Sequence, residues 1–133
     1  MTKVSVIIPL FNKELFIEQT LHSVLNQSYK NIDCIIVDDG STDNGKQNTQ
    51  KFIDRNSLSW KLVSQQNAGQ TKARNHGIRL SSGDYLAFLD SDDLWPSTKI
   101  QSQVDAMIKN PGCVLALSAY AIFSDRTSRP RVV

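Results

Sequence analysis

The chain has 133 residues, room for one domain with a real hydrophobic core but not for two ordinary ones. Apolar residues make up 40% and charged residues 21%, a globular balance that excludes a disordered chain. Lys and Arg number 15 against 13 Asp and Glu, so the net charge of +2 is too even for nucleic acid or an anionic membrane to be the main partner.

Residues 3–10 (KVSVIIPL) are β-branched and apolar and predict a buried strand. Asn12 offers a helix N-cap, and Ile17, Leu21, Val24 and Leu25 follow on one helical face. Residues 32–37 (IDCIIV) predict a second buried strand. Ser41, Thr42 and Asp43 are turn and cap residues leading into a polar helix over 44–54, anchored by Phe52 and Ile53. Residues 60–63 predict a short third strand, with Trp60 in the core. Residues 69–80 predict a helix with few large apolar side chains. Gly83 and Asp84 mark a turn before a fourth strand over 85–89, with Phe88 in the core. Pro96 and Ser97 open a helix whose apolar face is Ile100, Val104, Met107 and Ile108, closed by Asn110, Pro111 and Gly112. Residues 114–123 predict a last apolar strand. Residues 124–133 read as a polar, basic tail or as a cut inside a longer protein, leaving 1–123 as the domain.

Strand and helix alternating at these spacings mean an α/β fold: a mostly parallel sheet with helices on both faces. No apolar run reaches the roughly 18 residues of a membrane helix. The N-terminal stretch lacks a small-residue cleavage site, so no signal peptide is expected. Cys34 and Cys113 lie far apart in apolar runs and are expected as buried free thiols of a reducing compartment.

Ligands of open parallel sheets bind outside the carboxyl ends of the strands. Polar residues gather at all four such ends: after Pro9 and Leu10, at 38–43 (DDGSTD), at 65–69 (QQNAG) and at 90–93 (DSDD). The three carboxylates of Asp90, Asp92 and Asp93 repel one another unless a cation sits among them, and a hard divalent ion suits oxygen ligands. The other reading is a solvated acidic turn with Asp93 capping the next helix. At the second strand end, Asp39 faces a ligand, Asp38 is a structural hydrogen-bond acceptor and Asp43 an N-cap. Plain turn chemistry is the alternative. Gly69 opens a helix whose N-terminus favours an anion, with Lys72 and Arg74 nearby. A surface helix with solvated charges is the alternative there. His22 and His76 read as surface or packing residues, Trp95 as a site wall or a packing residue, and Ser91 has no adjacent base to make it a nucleophile.

Taken together, VSVIIPLFNKELFIEQTLHSVLNQSYKNIDCIIVDDGSTD and QNAGQTKARNHGIRLSSGDYLAFLDSDDLWPSTKI resemble the nucleotide-binding half of a family 2 glycosyltransferase. The resemblance implies a GT-A, Rossmann-like fold, here truncated. It implies transfer of a sugar, with inversion, from a nucleotide-diphospho-sugar, UDP being the commonest donor nucleotide. By position, Pro9 and Leu10 would wall the nucleoside pocket and Asp39 would hold the base or ribose. Asn67, Gly69 and Arg74 would lie near the base and diphosphate. Asp90 and Asp92 would form the D-x-D pair, Asp92 the more direct ligand of Mn2+ or Mg2+ and Asp90 nearer the ribose. The implied acceptor is a carbohydrate or lipid-linked hydroxyl. The implied location is the cytoplasm, at the inner face of the cell membrane, although membrane attachment is not visible in these residues.

The sequence departs from the family downstream. No Glu-Asp base motif and no Q-x-x-R-W follow the D-x-D, and the later acids Asp105 and Asp125 do not fit the base position. The expectation is therefore a donor-binding part whose general base is not present. A non-catalytic nucleotide- or protein-binding module on the same fold is the alternative. A phosphoacceptor receiver would carry its acidic pair after the first strand, not the second. A dehalogenase-like phosphatase would open with its D-x-D. A nucleotidyltransferase would carry a glycine-rich basic loop after the first strand.

Overall fold

The computed structural model describes residues 2–122 and 131–132. The first strand, β1 (Val4–Leu10), is buried along its whole length and pairs in parallel with β2 (Ile32–Asp38) on one side and β4 (Tyr85–Phe88) on the other. β3 (Lys61–Ser64) adds to the far side of β2, giving a parallel sheet of order β3-β2-β1-β4. Among the described residues, four helices complete the α/β pattern: α1 (Ile17–Leu25), α2 (Gly45–Arg55), α3 (Gln70–Leu80) and α4 (Lys99–Lys109).

The period of two along a strand sends alternate side chains to opposite faces. Val4, Val6, Ile8 and Leu10 of β1 join Cys34 and Ile36 of β2 on one face. There they meet Ile17, Leu21 and Val24 of α1, Phe52 and Ile53 of α2, and Ile100 and Val104 of α4. Ile35 and Val37 point the other way, onto Ala73 of α3. Few large apolar residues are needed in α3 because it approaches closely: a Cβ on Gly77 would lie 2.5 Å from Ile7 Cγ2. Phe52, fully buried, stacks on Trp60 at 6.1 Å and meets His22 edge-on at 4.8 Å, so His22 is a packing residue. The buried amide of Gln27 ties α1 to the start of α4, donating to the Ser23 and Pro96 carbonyls and accepting from Ile100 N–H at 3.0 Å.

Several expectations fail for identifiable reasons. Asn12 caps no helix: it adopts φ 51° and its side chain is used elsewhere, and α1 begins at Ile17. α4 begins at Lys99 rather than at Pro96. Within it Ile108 is exposed, although it stands only one turn beyond the buried Val104. Phe88 is exposed because β4 is an edge strand: Tyr85 and Ala87 pack on the core, whereas Leu86 and Phe88 face the side that α3 covers only over β1 and β2. Residues 114–120 form no strand, and Val114 and Leu117 are almost fully exposed. Only Ala121–Ile122 is extended there, pairing antiparallel with Arg131–Val132 outside the main sheet. Cys34 is buried as expected, its thiol pushed far up by burial, but Cys113 is exposed on this unpaired stretch. Of the expected tail, residues 124–130 and 133 lie outside the described residues.

The close seat of α3 makes a prediction. Gly77→Ala gains about 1 kcal/mol of helix propensity but overpacks against Ile7 at a cost of about 2 kcal/mol. A net loss of about 1 kcal/mol in urea unfolding is expected, whereas Gly112→Ala, with open space around it, leaves stability within about 0.5 kcal/mol.

Candidate functional site

The parallel register brings the carboxyl ends of all four strands to one rim, with Leu10 level with Asp38 and Asp38 level with Ser64. The loops that leave this rim are tied to one another by side chains. Asn12 Oδ1 accepts from Thr42 N–H at 2.8 Å, and its own N–H donates to Ser41 Oγ at 3.1 Å. Asp43 accepts from Glu14 N–H and from Gly45 N–H, both at 2.8 Å, so it serves the start of α2 from one residue outside the N-cap, which is Asn44. Asp38, buried, accepts from Ser41 N–H at 3.1 Å, the structural role expected of it.

Asp39 is the most engaged of these residues. It is 3% exposed, and its Oδ1 accepts from Gln65 Nε2 at 2.8 Å and Ala68 N–H at 2.9 Å. Its Oδ2 accepts from Gly69 N–H at 2.9 Å, and its backbone carbonyl accepts from Asn67 Nδ2 at 3.0 Å. Burial pushes the carboxyl upward, but the Gln65 amide and the two N–H groups outweigh it and hold Asp39 below its ordinary value of 3.8. Within the turn itself, the N–H groups of Ala68 and Gly69 are taken by Asp39, whereas those of the first helical residues, from Gln70 on, are not. Two glycines permit the geometry. Gly40 has φ 76°, and a Cβ there would meet Asn67 N at 3.1 Å. Gly69, the N-cap of α3, sits at φ 91° and ψ 157°, a region closed to other residues. His76 Nδ1 lies 2.9 Å from Gln65 Oε1, completing a chain His76–Gln65–Asp39. The chain escaped the sequence reading, since nothing local pairs His76 with a residue eleven positions back.

The acidic loop after β4 closes the ring. Thr20 Oγ1 donates to Ser91 O at 3.1 Å, anchoring the loop to α1. Asp90 Oδ1 accepts from Gln70 Nε2 at 2.9 Å and from the Arg74 guanidinium at 2.5 Å. Arg74 therefore acts on the site through Asp90, and its buried Nε–H has no partner among the described residues. Asp92 Oδ2 lies 2.7 Å from Lys13 Nζ. Burial, and then the charges of Asp90 and Asp92, push the Asp93 carboxyl up, which registers how crowded the negative charge is.

Between these loops lies a cleft of about 450 Å³ lined by Pro9, Asp39, Asn67, Gly69, Asp90 and Asp92, together with Leu10, Phe11, Lys13, Gln70 and Ser91. Leu10 is fully buried and contributes from beneath, its side chain belonging to the core. Phe11, 44% exposed, is the aromatic surface at that end. Phe11, Lys13 and Gln70 were not picked out as site residues from sequence, because single residues in a loop or at a helix start carry no pattern. Trp95 lies apart from the cleft: it packs on the core under the Lys99 ammonium, 4.6 Å from the ring centroid.

Among the described residues, no three or more His, Cys, Asp or Glu are grouped as a metal cage. Asp90 and Asp92 nevertheless fit a hard divalent ion by their chemistry. They offer carboxylate oxygens in a crowded negative field, and Mg2+-type ions commonly take one or two carboxylates plus phosphate and water. Asp105 lies on α4, paired with Gln101, away from the cleft, and Asp125 lies outside the described residues.

The profile of "Glycosyl transferase family 2" matches residues 5–132. An uncharacterized glycosyltransferase of Haemophilus influenzae is 39% identical over 110 residues, covering 83% of this chain and 44% of its own length. The putative teichuronic acid biosynthesis glycosyltransferase TuaG of Bacillus subtilis is 36% identical over 121 residues, 91% of this chain and 48% of its own. The UDP-Glc:alpha-D-GlcNAc-diphosphoundecaprenol beta-1,3-glucosyltransferase WfgD of Escherichia coli is 39% identical over 108 residues, 80% of this chain and 42% of its own. This chain thus spans less than half the length of these relatives. Among solved structures, S. aureus TarS 1-349 in complex with UDP-GlcNAc superposes with a TM-score of 0.76 at 30% identity, over 82% of this chain and 32% of that one. The mannosyltransferase PcManGT from Pyrobaculum calidifontis, in complex with GDP-Man and Mn2+, does so with a TM-score of 0.76 at 25% identity, over 83% and 33%.

The buried Asp39 carboxylate carries a pH prediction. Its folded value lies below 3.8, so the stability it contributes is fully present above the unfolded value and is lost as pH falls through the folded one. Asp39→Asn turns an amide N–H toward a backbone donor and is expected to cost about 1–3 kcal/mol at pH 7. In urea titrations the gap between wild type and variant should close as pH falls below about 4.

Proposed function

This chain belongs to glycosyl transferase family 2, and from that premise we propose that the cleft binds a nucleotide-diphospho-sugar, a UDP-sugar, for transfer of the sugar to an acceptor hydroxyl with inversion. The observation that carries the reading is the joining of four strand-end loops around one cleft, with the buried Asp39 at one side and the Asp90–Asp92 carboxylates at the other. A nucleoside needs hydrogen-bond acceptors and a flat apolar surface; Asp39, Asn67 and Phe11 supply them. A diphosphate needs cationic charge among the acids; a divalent ion, Mn2+ or Mg2+, held by Asp92 and Asp90 would supply it. When bound, such an ion offsets the charge that develops on the diphosphate leaving group. Arg74 and Gln70 hold Asp90 in place. Pro9 and Leu10 form the floor. Lys72 and the first turn of α3 lie on the same side as Asn67 and Gly69, where negative charge is favoured.

UDP-GlcNAc bound by one structural neighbour, and GDP-Man with Mn2+ bound by another, support a nucleotide-sugar donor and divalent-ion use in the family. The name of the E. coli relative gives a diphosphoundecaprenol-linked acceptor, and that of the B. subtilis relative gives teichuronic acid biosynthesis. We extend these to a carbohydrate or lipid-linked acceptor for this protein, at the cytoplasmic face of the membrane. Among the described residues, no helix is long and apolar enough to cross a membrane. The base that takes the acceptor proton is not assigned to a residue of this chain.

Titration calorimetry with UDP tests the reading. Binding is expected with Mn2+, weakened about tenfold or more without it, a difference of about 1.4 kcal/mol, and lost in Asp92→Ala. A folded chain that binds UDP in neither condition contradicts the reading. Metal-dependent binding without sugar transfer in the full-length protein would favour a non-catalytic nucleotide-binding module.

A further inference from the structure

Lys13 has no counterpart in the roles assigned so far. It follows β1 in the loop that Asn12, at φ 51°, turns toward the rim. Its ammonium lies 2.7 Å from Asp92 Oδ2, and it lines the same cleft as Asp39 and Asp90. The pair is 38% and 40% exposed, so it adds little to stability. Its effect is local charge. Asp90 already carries Arg74 as partner, and Lys13 is the second cation that meets this acidic loop, on the carboxylate that Arg74 does not reach. A flexible four-carbon stem lets the ammonium leave without backbone change, and its Nζ lies over the Phe16 ring, 5.9 Å from the centroid.

We propose that Lys13 is a positioning residue that stands in for the divalent ion: it holds and neutralises Asp92 when no ion is bound, and competes with the ion for that carboxylate. This rests on the reading of Asp92 as a cation ligand given above. Competition of this kind disfavours the ion alone. It also leaves a mobile cation beside the cleft for the diphosphate once the ion has taken Asp92. Ion and nucleotide would then bind better together than either alone.

Free Mn2+ counted by electron paramagnetic resonance tests this without any assay of transfer. Lys13→Met keeps the stem and removes the charge. A unit charge at about 4 Å changes an affinity by roughly fivefold even in a watery setting, so Lys13→Met should bind Mn2+ alone about fivefold more tightly than wild type. Lys13→Arg, which keeps the charge, should match wild type and control for packing and folding. In saturating Mn2+, Lys13→Met should bind UDP more weakly than wild type. Equal Mn2+ affinity in wild type and Lys13→Met overturns the proposal. If none of the three binds Mn2+, the proposal falls together with the metal-dependent reading, and UDP binding in EDTA then shows whether the nucleotide reading stands without it. If Mn2+ affinities in wild type and Lys13→Met differ as expected but UDP binding in saturating Mn2+ does not, the diphosphate half of the proposal is overturned.

Discussion

A buried carboxylate must find hydrogen-bond donors, and the way Asp39 finds them organises the rim. It sits at the end of β2, 3% exposed, where the strand can no longer satisfy it. Gln65 and the N–H groups of Ala68 and Gly69 come to it instead. To do so the segment after β3 must run back over the end of β2, which requires the close approach at Gly40 and the special backbone at Gly69. That run in turn sets where α3 begins. α3 then lies flat on β1 and β2 through Ala73 and Gly77, and its first turns present Gln70 and Arg74 to Asp90. One desolvated acid thus links a strand end, a loop, a helix start and the acidic loop on the other side of the cleft.

The rest of the rim follows the same physics with exposed groups. Asn12 and Glu14 join the loops after β1 and β2, Thr20 fixes the backbone of Ser91, and Lys13 and Arg74 each take one carboxylate of the acidic loop. The result is a cleft whose walls are held by hydrogen bonds rather than by apolar packing, and whose charge is split. Asp90 and Asp92 are gathered at one side, with Arg74 and Lys13 set against them rather than between them, and the buried Asp39 stands at the other. Such a site suits a ligand that brings both a polar base and a charged diphosphate.

Most of the fold was legible because burial writes itself into the period of a sequence. The continuous apolar runs at β1 and β2 and the spaced anchors Ile17, Leu21 and Val24 can hardly be read otherwise. The four polar clusters were legible as one site through topology: parallel strands put their carboxyl ends together. What escaped was tertiary. Asn12 looks like an N-cap locally and serves a loop 30 residues away. Phe88 alternates like a core residue but stands on an edge strand with no helix over that face. Residues 114–120 are as apolar as a buried strand and pair with none of the described strands. Lys13 meets Asp92, and His76 meets Gln65, only because the chain folds. The sequence could suggest that the 65–69 turn would face a ligand. Only the geometry reveals that its N–H groups belong first to Asp39.

The central claim is that these joined loops make one donor site, with an ion on the acidic side and a nucleoside at Asp39. Paramagnetic broadening of backbone amide signals by Mn2+, in the presence of UDP, tests it most directly. The account predicts the strongest broadening at residues 90–93, with weaker effects at Lys13 and Gln70. It also predicts UDP-induced shifts without strong broadening at Asp39, Asn67 and Phe11. Broadening centred elsewhere, or UDP shifts that leave the 65–69 turn untouched, would contradict it.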